Sequence, residues 1–367
     1  MLNLNDIKTL TSNSDGRVFS LYLNVDNSLP ENQATQPAWR IFVKNALKET
    51  AEAVSESDQP AWVDISKRVE AYFETYSPTS RGLALFYGTD LQTVYELPVP
   101  PHQNEHYFGD VNIAPLLWLI DEYEQYLIVL VDREEAQLLT TYLGDTSRQE
   151  AMASDRFSFD FKEKTMMPRP SGPQADAGGA ITGGSQKDAF ADKMDDYVAK
   201  FHQDVAQRVR NWLKTHGAQR VIIGGDEKSA HAVNDALHDA VLPHVVDVMN
   251  IPFQTSDSAV MQRILPVALA YERKKELETV RAVIDLAKAE GGRGVLGYDA
   301  VEQAVQMQQV DLLIAPWPLD DPARFHQLTM QAFAHGNATI ELVHGEAADL
   351  LRKEGGIAAR LFYVINS

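Results

Sequence analysis

No cysteine occurs among the 367 residues, which excludes disulfides, thiol nucleophiles and cysteine-ligated metal. No apolar run approaches the ~20 residues that cross a bilayer as a helix. The opening Met1-Leu2-Asn3-Leu4-Asn5-Asp6 lacks the basic stretch followed by an apolar one that marks a secretory signal, so the expected compartment is the cytoplasm. Positive charge is also in deficit, with 33 Lys and Arg against 52 Asp and Glu and a formal charge of −19. Nucleic-acid backbones are gripped by Lys and Arg, so this balance argues against a protein that binds polyanions over its whole surface. What remains, 44% apolar and 23% charged residues, is the composition of a globular protein, and the length suggests two or three domains.

The stretch around which the chain is organised is glycine-rich. Gly178, Gly179, Gly183 and Gly184 stand between Ala177 and Phe190 with Ile181 as the one large apolar residue before the helix. Such a segment cannot bury enough surface to hold one conformation, and it reads as a mobile tongue. From Asp188 onward Phe190, Met194, Val198, Phe201, Val205, Val209 and Trp212 repeat at helical spacing, and Gly217 is a plausible stop. A phosphate loop would need Lys and then Ser or Thr directly after the last glycine, with a strand before the first. Ser185 and Gln186 follow Gly184 instead, and Pro168, Pro170 and Pro173 precede it. Lys162, Lys164, Arg169 and Lys187 offset Asp160, Glu163, Asp176 and Asp188, so the tongue is far less acidic than the molecule as a whole. That local balance eases approach to a polyanion.

Read in order, the pattern predicts three α/β domains in series, 1–117, 118–253 and 254–367. In the first, Val18–Asp26 alternates as a strand, Ala38–Val54 and Ala61–Tyr76 are helices, and Gly82–Tyr87 is a second strand. In the second, Tyr126–Asp132 and Ala136–Gly144 form a hairpin, and 145–174 is weakly structured. The tongue, its long helix, the strand Arg220–Gly224 and a helix from near Ser229 follow. Gly224-Gly225-Asp226 reads as a tight strand-to-helix turn, a place where an anion can also sit. In the third, a long helix over Ser258–Glu290 is broken or kinked near Pro266. Beyond it come a helix over Tyr298–Gln308, a buried strand over Val310–Ala315, a helix over Phe325–Ala334, and strands over Thr339–Val343 and Ile357–Val364.

One metal motif needs weighing. His102, Glu105 and His106 match H-x-x-E-H, whose zinc chemistry needs both histidines on one helical face and the glutamate as general base. Pro98, Pro100 and Pro101 immediately upstream disfavour a helix, so a solvated loop is the expectation and a zinc hydrolase a remote alternative. His335 and His344 flank the strand Thr339–Val343 and read as structural or solvated. No resident metal or cofactor is expected.

Two ordered motifs in the third domain carry a family resemblance. One runs from Gly294 through Gly297, Tyr298 and Val301 to Val310, Asp311, Leu312, Leu313 and Ile314. The other is Gly355-Gly356-Ile357-Ala358-Ala359. With the order of hairpin, long loop, glycine pair and long helix in the second domain, the chain resembles the archaeo-eukaryotic class I release factor and Pelota superfamily, most closely its divergent bacterial branch. The likeness covers roughly residues 118–367 well and the N-terminal domain only in outline.

The resemblance implies a release-factor-like α/β architecture whose central loop enters the peptidyl transferase centre. In release factors that loop ends in Gly-Gly-Gln and promotes hydrolysis of the ester joining nascent peptide to tRNA. Here the tip reads Gly183-Gly184-Ser185-Gln186, with one residue between the glycines and the glutamine. The implied catalytic set is therefore Gln186 with Gly183, Gly184 and Ser185, and the implied RNA contacts are Lys162, Lys164, Arg169 and Lys187. The implied partners are the large ribosomal subunit, peptidyl-tRNA and a protein bound through the C-terminal domain. The Asn-Ile-Lys-Ser motif of stop-codon readers is absent, as is their cysteine-containing partner motif. Two readings follow: codon-independent peptidyl-tRNA hydrolysis, or a catalytically silent docking factor that kept the architecture.

Overall fold

Continuous apolar runs make the central strands of this chain, and amphipathic helices cover them. The computed structural model describes residues 4–12, 16–143, 145–154, 184–216, 220–335 and 338–363. Among these it is a mixed α/β protein with three sheets and ten α-helices. It divides into two compact units, one formed by Met1–Glu124 with Ala268–Ser367 and the other by Gln125–Val267.

In the first unit, α1 (Leu4–Ser12) precedes β1 (Val18–Asn24), and α2 (Ala38–Ala53) and α3 (Gln59–Thr75) lead to β2 (Gly82–Tyr87), β3 (Gln92–Leu97) and β4 (Glu105–Gly109). These strands form an antiparallel sheet in the order β3-β2-β1-β4. Alternation puts Phe19, Leu21 and Leu23 of β1 on one face, where Trp39 and Val43 of α2 and Trp62, Ile65 and Val69 of α3 close the core. After β4 comes α4 (Ala114–Glu122), whose Leu116, Leu117, Trp118 and Leu119 are all buried.

The second unit is built on β5 (Tyr126–Val131), an unbroken apolar run with every residue buried. Burial on both faces is what such a run demands, and β5 accordingly sits in the middle of the sheet. β6 (Glu135–Tyr142) and β7 (Asp145–Ala153) extend the sheet antiparallel on one side. β8 (Arg220–Gly225) and β9 (Val245–Asn250) extend it parallel on the other, giving the order β7-β6-β5-β8-β9. α5 (Gly184–His216) and α6 (Glu227–Asp235) pack on it, the first through Phe201, Val205 and Val209, the second through Ala230 and Val233. β7 corrects the sequence expectation of weak structure over 145–174 for its first nine residues, and 155–174 lie outside the described residues. It is a polar edge strand with Met152 as its contribution to the core, so apolar periodicity gave no sign of it.

α7 (Asp257–Lys288) is one helix with Pro266 inside it, where the sequence predicted a break or kink. Buried Val260 and Ile264 before the proline and buried Val280, Val283 and Ile284 after it supply packing on both sides of the missing N–H. From Ala268 it belongs to the first unit. There β10 (Gly294–Leu296), α8 (Tyr298–Gln306), β11 (Val310–Pro316), α9 (Pro322–His335), β12 (Thr339–Val343), α10 (Gly345–Lys353) and β13 (Ala358–Leu361) make the third sheet and its helices, in the order β10-β13-β11-β12. The two family-like motifs meet here: Gly297 donates its N–H to the Ile357 carbonyl at 2.8 Å. A side chain on Gly355, whose φ is +113°, would come within 3.0 Å of the Gly297 Cα.

Candidate functional site

The predicted tongue falls across the edge of what the structure describes. Gly183, Lys162, Lys164 and Arg169 lie outside the described residues, as do the glycines Gly178 and Gly179. Gly184, Ser185, Gln186 and Lys187 are the first turn of α5, so the helix begins four residues before the Asp188 start read from the sequence. Glycine is accepted at a helix boundary, and nothing between Gly184 and Asp188 forbids helical backbone. Their side chains are outside the described residues. Gln186 belongs to a first turn, opened by Gly184, whose backbone N–H groups have no acceptor within the helix.

The mount of that turn is well defined. α5 has 33 residues, about 50 Å of helix, and Gln186 precedes Phe201, the first deeply buried seat among the described side chains, by about 22 Å. Phe201, Val205 and Val209 lie four apart on one face and press on Leu127, Val129, Val221 and Ile223 of β5 and β8. Arg208 bonds Glu150 of β7 at 2.7 Å, and Arg133 bonds Asp195 at 3.3 Å, so both ends of the seated part are also tied through charge. His202, 5% exposed, brings Nε2 to 3.4 Å from the Asp132 carbonyl at the end of β5. A carbonyl only accepts, which places the hydrogen on Nε2. Burial holds its pKa below the ordinary histidine value, against the opposing effect of the Asp132 carbonyl.

At the neighbouring strand end, Gly225 has φ +147°, and a Cβ there would stand 1.8 Å from the Val131 carbonyl oxygen of β5. That contact makes this position glycine. The next residue, Asp226, caps α6 by accepting the Ser229 N–H at 3.1 Å. The helix end that the sequence marked as able to hold an anion already holds its own carboxylate.

The zinc reading of His102, Glu105 and His106 is overturned by β4. Glu105 and His106 are consecutive strand residues and point to opposite faces. Asn112 Nδ2 donates to Glu105, whose carboxyl burial pushes above the ordinary range, at 3.2 Å. His106 packs on Phe19 and Phe42 with Glu49 at 3.6 Å, while His102 meets the rings of Trp118 and Trp317.

A charged cluster in the first unit went unread in the sequence. Arg273 of α7 donates two hydrogen bonds to Glu122 of α4, at 2.6 and 2.7 Å, and also binds Glu276 one turn along its own helix. Glu276 accepts the backbone N–H of His344 at 2.6 Å. Trp118 donates its indole N–H to His344 Nε2 at 3.2 Å, and His344 Nδ1 stands 3.0 Å from the Arg273 guanidinium and 3.3 Å from Glu276 Oε1. His344, expected to be structural or solvated beside a strand, is thus a joint between α4, α7 and the start of α10. His335, its companion in that expectation, has a side chain outside the described residues. Donor atoms of Asp121, Glu276 and His344 lie within 4.8 Å of one another, a span a metal ion can use. The guanidinium of Arg273 and the indole of Trp118 already engage Glu276 and His344, so the cation here is the arginine. The only signals in the sequence were Arg273 and Glu276 three apart on a helix and a histidine after a strand.

Residues 112–269 match the family described as bacterial archaeo-eukaryotic release factor family 10. This stretch includes α5 and the Gly183 to Gln186 sequence. Among solved structures, the chain is similar to the archaeal translation termination factor aRF1 at 15% identity and TM-score 0.28, covering 98% of this chain and 97% of that one. A model of ribosome-bound archaeal Pelota and ABCE1 matches at 13% identity and TM-score 0.44, covering 99% and 95%. Dom34 of S. cerevisiae, a translation termination-like factor involved in RNA quality control and interacting with Hbs1, matches at 12% identity and TM-score 0.44, covering 86% and 79%. No curated protein matches the chain. No helix among the described residues is long and apolar enough to cross a membrane.

Proposed function

We propose that this chain, whose residues 112–269 match a bacterial release-factor-like family, is a cytoplasmic, ribosome-associated translation factor that hydrolyses peptidyl-tRNA on stalled ribosomes without reading a codon. The observation that carries this reading is the position of Gly183-Gly184-Ser185-Gln186. It falls inside the family match, and its last three residues open α5. The division at 117–118 and 253–254 belongs to the same proposal, with the central domain entering the large subunit. The C-terminal domain would be left to a protein partner.

Hydrolysis of an ester by water needs a placed nucleophile and stabilised charge on the tetrahedral intermediate more than it needs a strong base. The first turn of α5 offers backbone N–H groups free of helical partners, at the positive end of the helix dipole. Gly183 and Gly184 admit close approach to RNA, and the Gln186 amide orients the water. Lys162, Lys164, Arg169 and Lys187 meet the phosphates. The seat through Phe201, Val205 and Val209 supports this by holding the helix against the sheet.

Ser185 favours a second reading. It moves Gln186 one residue from the glycines, about 1.5 Å along a helix and about 100° around it, enough to spoil the positioning of water. The factor would then dock on ribosome, tRNA or a protein without chemistry. The test is release of labelled peptide from a purified stalled ribosome–nascent-chain complex and from its split large subunit. Release supports the hydrolase, and co-sedimentation without release supports the docking factor.

A further inference from the structure

Asp121 is the residue the Arg273 cluster does not use. It follows the apolar run of α4, and no hydrogen bond reaches its carboxyl from the described residues. Around it stand Glu122 and Glu124 from the same segment, Glu276 from α7 and Glu341 from β12, with Glu272 also buried on α7. The cation of the cluster, Arg273, is already shared between Glu122 and Glu276, and His344 lies within 4.8 Å of Asp121, donor atom to donor atom. A carboxyl in this setting is strongly disfavoured as an anion. Burial first, then Glu341, Glu276, Glu124 and Glu122, push its pKa well above the ordinary carboxylate value.

We propose that Asp121 is a proton-operated release for the clasp that joins α4, α7 and the start of α10. With its proton on, Asp121 is neutral and Arg273 bridges Glu122 and Glu276 undisturbed. When the proton leaves to solvent, a third carboxylate stands beside Glu122 and Glu276, which already share one guanidinium. Repulsion among Asp121, Glu276 and Glu341 then opens the joint at the His344 N–H and the Trp118 indole. Opening releases one proton, so it is favoured as pH rises. The device is local to the first unit and independent of any chemistry at Gln186.

Amide exchange of the full chain tests this, followed on peptides covering residues 114–124 and 341–348 between about pH 5 and about pH 8 and corrected for the intrinsic rate. In the wild type the opening constant of these peptides should rise with pH by up to about tenfold per unit, the limit for one proton. Asp121→Asn, which keeps the shape of the neutral acid, should remain protected and lose that slope. Glu341→Gln, which removes one repelling charge and so lowers the closed-state pKa of Asp121, should end the rise at lower pH and at a lower plateau. Parallel profiles for wild type and Asp121→Asn would overturn the proposal. So would protection restored at the upper pH by Mn²⁺ or Zn²⁺ in the wild type but not in Asp121→Asn, because a cation and not a proton would then be the natural occupant.

Discussion

Arg208 on α5 bonds Glu150 on β7 at 2.7 Å. The pair joins the helix that opens with Gly184 to a strand that apolar periodicity does not reveal. Both side chains are partly exposed, so the bond itself contributes little, and the apolar face beside it does most of the holding. Phe201→Ala should therefore cost about 3–5 kcal/mol in the second unit, while Arg208→Ala costs under about 1 kcal/mol. Denaturant unfolding followed by a probe in this unit checks the ordering.

Gly225 is fixed by its neighbour. Gly225→Ala puts a methyl group against the Val131 carbonyl in a backbone conformation that suits glycine alone, so β5 and β8 must separate there. A loss of at least about 3 kcal/mol is expected, against about 1 kcal/mol for Asp226→Ala, which removes only the α6 cap. Unfolding midpoints of the two variants decide it.

Acid should weaken the second unit through His202. Its folded pKa is lowered, chiefly by burial, so below the ordinary value of about 6.5 the unfolded chain binds the proton more readily. The stability this gives is fully present above about pH 6.5 and is lost as pH falls through that value. His106 and His326, also held down by burial, act with the same sign in the first unit. His202→Asn should flatten the acid limb measured in the second unit, whatever offset the smaller side chain adds.

Arg273 should be worth more than a surface ion pair. Arg273→Ala leaves Glu122 and Glu276 facing each other without a cation, at side-chain exposures of 13% and 7%. The arginine is one-third exposed, which tempers the effect, and a loss of about 2–3 kcal/mol is expected. Replacing both acids with glutamine alongside Arg273→Met should recover part of it, because the uncompensated charge is then gone. Thermal unfolding of the two variants gives the comparison.

What the sequence made legible follows from how each element is stabilised. β5 and β8 were readable because burial on both faces demands apolar runs, and α5 because its seat repeats every four residues. α4 was hidden by the opposite cause: it is apolar nearly all round, with no polar face to set a period. β7 takes its strand form from pairing with β6 rather than from its own side chains. The Asp121, Glu122, Arg273, Glu276 and His344 cluster unites residues up to 223 positions apart, a distance over which no local spacing rule operates. The Gly-Gly-Ser-Gln sequence was legible through resemblance, since four small and polar residues have no period of their own.

Peptide release by Gln186→Ala, set beside the wild type on the same stalled ribosome–nascent-chain complex, tests the proposed hydrolysis most directly. Loss of one positioning amide in such a site is expected to lower the release rate by about 100-fold or more while co-sedimentation with ribosomal particles is unchanged. Equal release by the variant would contradict the role of Gln186, and binding without release by the wild type would leave the chain a docking factor.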